Sequence, residues 1–260
     1  MGLKSAGFDV VGAIELDKDA GRSYKHNIGN HTIGKDIQEF SPKEFRAFLQ
    51  GRGLIRKGRS LDLIAGGPPC PGFSLIGRSK ISNLIKKGQY QGSKDYRHRF
   101  IDDPRNQLFR EFVKYVGEFR PRYVVMENVS GMSSFLIEGD PVIEVIERSF
   151  SKLGYHVSSA ILSASDYGVP QLRKRIIFLG TKHGEAKPEF PPKKTNSGNN
   201  TLDVADAILD LSKVEPTSDG NVRLPKDPQS PGVRGYEYRR LMKRWPMSTD
   251  HWKQPEGDRI

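Results

Sequence analysis

Apolar residues along this chain fall into two alternating textures. Short runs of buried-strand type are Asp9-Val10-Val11-Gly12-Ala13-Ile14, Leu61-Asp62-Leu63-Ile64-Ala65 and Tyr123-Val124-Val125-Met126. Later strands are expected at Tyr155 to Leu162 and Arg175 to Leu179. Stretches of helical period lie between them. Asp17 to Asn27 has Asp17 as its N-cap, with Ala20 and Tyr24 four apart on one face. Pro104 to Phe119 opens with proline in its first turn, where the missing N–H costs nothing. Its apolar stripe is Leu108, Phe109, Phe112, Val113 and Val116. Pro141 to Leu153 carries Val142, Ile143, Val145, Ile146 and Phe150. Strands alternating with helices predict an α/β fold with a mostly parallel sheet covered by helices. From Glu185 the texture changes. Lys187 to Lys194 is proline-rich and Asn196 to Asn200 is polar, as linkers are. Short helices are expected at Thr201 to Leu211 and Tyr236 to Arg244.

Composition narrows the class. The 260 residues are 35% hydrophobic and 28% charged, enough apolar material for one α/β domain with a small appendage. No long uncharged apolar run predicts a membrane span, and the first residues lack a signal-peptide core. An intracellular protein with no membrane partner is the expectation. The single cysteine, Cys70, excludes an internal disulfide and a cysteine-cluster metal site, so no metal is expected. Lys and Arg number 42 against 31 Asp and Glu, a net charge of +11 that favours a polyanionic partner, nucleic acid first. Six of those surplus charges fall between Leu75 and Phe100, which holds Arg78, Lys80, Lys86, Lys87, Lys94, Arg97 and Arg99 against Asp95. Interspersed with Gly77, Gly88 and Gly92, this segment reads as an element that closes over a phosphate backbone. A solvated surface loop is the plainer reading of a charge run by itself.

Three stretches could carry chemistry. In Gly66-Gly67-Pro68-Pro69-Cys70-Pro71-Gly72-Phe73-Ser74 an apolar strand ends and a proline-fixed turn presents the lone cysteine. Such a thiol beside positive charge is a candidate nucleophile, whereas an inert buried cysteine would need none of these prolines and glycines. In Val124-Val125-Met126-Glu127-Asn128-Val129 a carboxylate comes directly after a buried strand, either as a proton donor or as a cap of the next helix. In Gln171-Leu172-Arg173-Lys174-Arg175 an extended chain would point Gln171, Arg173 and Arg175 to one face. That would suit a base carbonyl or a carboxylate; an aggregation-resistant basic strand edge is the alternative.

Taken together, these stretches resemble the DNA cytosine-5 methyltransferase family. Pro-Pro-Cys-Pro-Gly-Phe-Ser at 68–74, Glu-Asn-Val at 127–129 and Gln-x-Arg-x-Arg at 171–175 match its signatures in order. The resemblance implies a Rossmann-like sheet that binds S-adenosylmethionine and acts on double-stranded DNA. It implies Cys70, Glu127, Arg173 and Arg175 as catalytic residues. Glu15, Leu16, Asp36, Ile37, Pro69 and Leu108 would meet the cofactor. Ser74, Arg78, Lys80, Lys86, Lys87, Lys94, Arg97 and Gln171 would meet the DNA. The implied chemistry is addition of the Cys70 thiolate to carbon 6 of a flipped-out cytosine, protonation of ring N3 by Glu127, methylation at carbon 5 and expulsion of Cys70. Rival readings are an RNA (tRNA) cytosine-5 methyltransferase and a non-catalytic nucleic-acid-binding remnant.

The chain also departs from the family pattern. The family's opening strand and Gly-rich loop are not found before Met1-Gly2-Leu3-Lys4, and neither are its last two motifs. Residues 1–184 are therefore expected to be an N-terminally truncated catalytic domain whose sheet lacks its first, central strand. Residues 185–260 are expected to be a linker and the start of an incomplete target-recognition region. A second chain supplying the missing motifs would complete such a split enzyme, and the isolated chain is expected to bind S-adenosylmethionine poorly.

Overall fold

The computed structural model describes residues 2–69, 108–137, 139–196 and 201–208. In chain order the elements are α1 (Gly2–Ser5), β1 (Ala13–Ile14), α2 (Lys18–Asn27), β2 (Thr32–Ile33), α3 (Pro42–Gly51), β3 (Leu63–Gly66) and α4 (Leu108–Phe119). They continue with β4 (Tyr123–Val129), a 3₁₀ turn (Ser130–Ser134), β5 (Leu136–Ile137), β6 (Asp140–Pro141) and α5 (Val142–Ser151). Next come β7 (Tyr155–Ser163), a second 3₁₀ turn (Ala164–Tyr167), β8 (Lys174–Lys182) and α6 (Val204–Ile208). The expected helix at Tyr236 to Arg244, the expected helix start at Pro104 and the expected helix end at Leu211 lie outside the described residues. None of the described helices is long and apolar enough to cross a membrane. The described residues cluster into two compact units.

The smaller unit holds residues 2–34, 163–173, 194–196 and 201–208. Here β1 pairs in parallel with β2, Ala13 opposite Thr32 and Ile14 opposite Ile33. The intervening α2 supplies the crossover that a parallel pair requires. As expected, Asp17 caps this helix, its carboxylate accepting from the backbone N–H groups of Asp19 and Ala20. The strand expected over Asp9 to Ile14 is shortened to two residues. Its partner β2 is itself only two residues long, and the pairing runs from the Ala13 N–H on the His31 carbonyl to the Glu15 N–H on the Ile33 carbonyl.

The larger unit holds residues 35–69, 108–137, 139–162 and 174–193. Its four-stranded sheet has the order β3-β4-β8-β7, so β3 is an outer strand and is not paired with β1. β3 runs parallel to β4, but β4 and β8 are antiparallel over their full overlap, Tyr123 opposite Thr181 through Val129 opposite Arg175. The sheet is therefore mixed rather than mostly parallel. Between β7 and β8 lies only a 3₁₀ turn and a short link, with no helix to carry the chain back for a parallel return.

One face of this sheet is the core. Val124 and Met126 of β4 and Ile176 and Phe178 of β8 are buried on it with Phe109, Phe112 and Val116 of α4. Val142, Ile146 and Phe150 of α5, spaced four apart, complete the layer. Of the expected stripes, Phe109, Phe112, Val116, Val142, Ile146 and Phe150 are buried and Leu108, Val113, Ile143 and Val145 half-buried, with Tyr115 and Phe119 added to the first. α3 has no counterpart among the elements expected from the apolar pattern. It packs Phe45 and Leu49 inward and opens on a capping box, Ser41 accepting from the Glu44 N–H while the Glu44 carboxylate accepts from the Ser41 N–H.

Candidate functional site

The site forms where β3 and β4 end. Glu127 lies inside β4, not after it as expected, because β8 extends the ladder as far as Val129. Nor does it cap the next element: the 3₁₀ turn begins after Val129 with no side-chain cap. Glu127 stands opposite Ile177 and Arg175 opposite Val129, so the two are diagonal neighbours on one sheet face. The Arg175 Nε lies 2.7 Å from Glu127 Oε1, and Arg175 Nη1 donates to the Lys174 carbonyl at 2.8 Å. The carboxylate is 39% and the guanidinium 26% exposed, so the pair adds little to stability. Its effect is to aim the carboxyl group.

The turn after β3 is fastened to the same place. Asn128, one residue beyond Glu127 and facing the core, is 4% exposed. Its amide Nδ2 donates to the Pro68 carbonyl at 3.0 Å, and its Oδ1 accepts from the Val129 N–H at 2.8 Å. This ties the proline turn that leads into Cys70 to the strand that carries Glu127. Two glycines permit the approach. A Cβ on Gly67 would sit 3.1 Å from Glu127 Oε2, and one on Gly66 would fall 2.6 Å from the Phe112 ring. In the sequence Asn128 and Gly67 stand inside motifs with no task of their own. The available signal was a polar residue at an inward position of a strand, which burial obliges to hydrogen-bond.

Gln171 and Arg173 are exposed and do not share a strand face with Arg175. The Gln171 N–H bonds the Val169 carbonyl at 2.7 Å and the Arg173 N–H bonds the Gln171 carbonyl at 2.9 Å, tight turns that replace the expected extended chain. β8 begins only at Lys174. Glu15 comes directly after β1 and its Oε1 accepts from the Asp17 N–H at 3.0 Å, beside Leu16, which is 63% exposed. Asp36 accepts from the Gln38 N–H at 2.9 Å through Oδ1, with Ile37 half-buried. Leu108 opens α4, half-buried, and Pro69 is exposed. Cys70, Ser74, Arg78, Lys80, Lys86, Lys87, Lys94 and Arg97 lie outside the described residues.

Asn128→Ala is expected to remove the tie to Pro68 and leave that carbonyl short of a partner. The cost is about 1–3 kcal/mol of stability, read as a lower urea midpoint at unchanged slope. An unchanged midpoint would show that the turn holds itself.

The C-5 cytosine-specific DNA methylase family model matches residues 1–229. The Type II methyltransferase M.DdeI of Desulfomicrobium norvegicum is 34% identical over 227 residues, 85% of this chain and 48% of that protein. M.XorII of Xanthomonas oryzae pv. oryzae is 35% identical over 218 residues, 83% of this chain and 44% of its own. The chain thus spans about half the length of the curated relatives it matches. A crystal structure described as a DNA modification methyltransferase encoded within an E. coli prophage shares the fold. Its TM-score is 0.65 at 24% identity, over 94% of this chain and 65% of that one.

Proposed function

The chain belongs to the C-5 cytosine-specific DNA methylase family, and from that premise we propose that it transfers a methyl group from S-adenosylmethionine to carbon 5 of cytosine in double-stranded DNA. The observation that carries the reading is the aimed Glu127 carboxyl group, held by Arg175 and set against the Asn128-fastened turn that leads into Cys70. A nucleophile and a proton donor delivered by neighbouring strand ends are what covalent attack on a pyrimidine requires.

Carbon 5 of cytosine is a weak nucleophile. In the proposal the Cys70 thiolate forms a bond to carbon 6 while Glu127 hands its proton to ring N3, so electron density accumulates at carbon 5. After methylation, loss of the carbon 5 proton expels Cys70 and restores the ring. Arg175 keeps Glu127 directed at N3. The target base must leave the stack to reach these groups.

Bound S-adenosylmethionine would supply the electrophilic methyl. In each unit taken by itself, the residues present are of a fitting kind: the Glu15 carboxylate beside exposed Leu16 in the smaller unit, and the Asp36 carboxylate with Ile37 in the larger, each carboxylate with one oxygen held by a backbone N–H and the other able to accept from a hydroxyl or amine. Pro69 and Leu108 of the larger unit are the apolar residues that the family resemblance adds to them. DNA rather than RNA as substrate is supported by the family description. The proposal is made without a second chain.

The test is covalent trapping. A duplex carrying 5-fluorocytosine should form a denaturant-resistant adduct with S-adenosylmethionine present, because fluorine cannot leave as a proton. The assay is run on the 260 residues and on a chimera in which they replace the matching segment of M.DdeI. An adduct on the duplex supports the reading. An adduct on RNA alone moves the substrate class, and no adduct from either protein sinks the proposal.

DNA binding by the basic segment is tested separately. Replacing Lys80, Lys86, Lys87, Lys94 and Arg97 by neutral residues should weaken binding on all sequences alike. The log–log salt slope should flatten by about 0.9 for each phosphate that is no longer neutralised. A slope equal to the parent's would make this segment ordinary surface.

A further inference from the structure

Far from Glu127 and Arg175, at the opposite end of the larger unit's sheet, lies a cavity of about 380 Å³. It is bordered by the start of β7, the end of β8 and the segment after β8. Its lining includes His156, His183, Lys187, Ser151, Ser158 and Thr181, and none of the described residues that line it is acidic. The two imidazole rings lie 4.3 Å apart, centroid to centroid, tilted by 43°. Neither ring nor the Lys187 ammonium has an ion-pair partner among the described residues. Thr181 is buried, whereas Ser151, His156, Ser158, His183 and Lys187 are exposed, so the cavity opens to the surface. Of the carboxylates on the same elements, Glu147 accepts from Ser159 and Glu185 binds Arg122, while Glu144 and Glu189 are exposed; none of the four is among the cavity's described lining residues.

We propose that this cavity binds a phosphate group. Three nitrogen bases and the hydroxyls of Ser151, Ser158 and Thr181 around one space, with no carboxylate among the described lining residues and the Tyr155 hydroxyl spent on the Pro121 carbonyl, form a donor set for an oxyanion. A cation is disfavoured, because the Lys187 ammonium would repel it, and no cluster of three or more metal-ligating side chains occurs among the described residues. The electrostatics agree: Lys187 above all, then desolvation and His183, hold the His156 imidazole below its ordinary pKa. A bound anion would reverse that repulsion. The volume falls within the range of small-ligand sites, with room for a mononucleotide around the phosphate. The site is independent of methyl transfer, since none of the residues given a role in that reaction lines it.

The experiment is a titration of the histidine-labelled chain, followed through its imidazole signals by nuclear magnetic resonance. Inorganic phosphate, adenosine monophosphate and a cytosine-free DNA duplex are the three ligands, and sodium chloride at matched ionic strength is the control. Saturable shifts of His156 and His183 with phosphate or the mononucleotide identify a free-anion site. Such shifts with the duplex alone assign the phosphate to a DNA backbone. Lys187→Met should weaken binding about tenfold or more, the loss expected for one charge-assisted hydrogen bond. His156→Gln takes its place should that variant fail to fold. Shifts matched by sodium chloride, or equal affinity in the folded variant, overturn the site.

Discussion

Cys70→Ser is expected to lower methyl transfer by at least about 10⁴-fold, the scale seen when a covalent nucleophile is removed. A hydroxyl is almost wholly un-ionised at neutral pH, whereas a thiol beside positive charge yields a usable thiolate fraction. The same change should abolish the 5-fluorocytosine adduct while leaving DNA affinity within about twofold, because one oxygen for one sulfur alters no bond to phosphate. The measurement is single-turnover methyl transfer in whichever of the chain and its chimera is active. A variant with parental turnover would remove Cys70 from the mechanism. It would leave the proline turn and its tie to Asn128 as a structural feature only.

Glu127→Gln is expected to cost about 10²–10⁴-fold in turnover, the range for loss of a general acid. The amide keeps the side chain's shape and can still accept from Arg175, but it has no proton to give to N3. Stability should move little, since the Glu127–Arg175 pair is partly exposed. That separates it from Asn128→Ala, whose first effect is on stability. The discriminating readout is the single-turnover rate beside DNA affinity: the rate should fall in the variant while DNA affinity stays close to the parent's. Turnover within about twofold of the parent, far less than an essential acid would cost, would show that Glu127 is there for the sheet. Its ion pair would then be a surface feature of two neighbouring strands.

The two changes probe different depths of the same site, and the sequence disclosed them unequally. Cys70 and Glu127 were legible because their surroundings are local: prolines fix one turn, and a run of valines marks one strand. What joins them was not. The bond from Asn128 to Pro68 spans 60 positions, and the fit of Gly67 against Glu127 spans a similar gap. Neither has a periodic signature, since each depends on β3 and β4 lying side by side.

The same distinction runs through the fold. The sequence alone determined where α2 and α5 run, where α4 ends and which faces of α4 and α5 are buried, because helical period and capping are properties of neighbours in the chain; in α2 it is Gly21 that is buried, while Ala20 of the expected face is exposed and Tyr24 half-buried. It also located β3, β4, β7 and β8 to within a few residues, and the family is legible in motifs that are themselves local. Tertiary structure decided the lengths and directions. The strand at Asp9 to Ile14 shrank to Ala13–Ile14 because a strand is only as long as its partner. β4 lengthened through Glu127 to Val129 because β8 was there to meet it, antiparallel. Gln171 and Arg173 left the face of Arg175 because their backbone closes tight turns before β8 begins. Strand pairing joins distant segments, so its extent and direction are fixed only once both partners are in place.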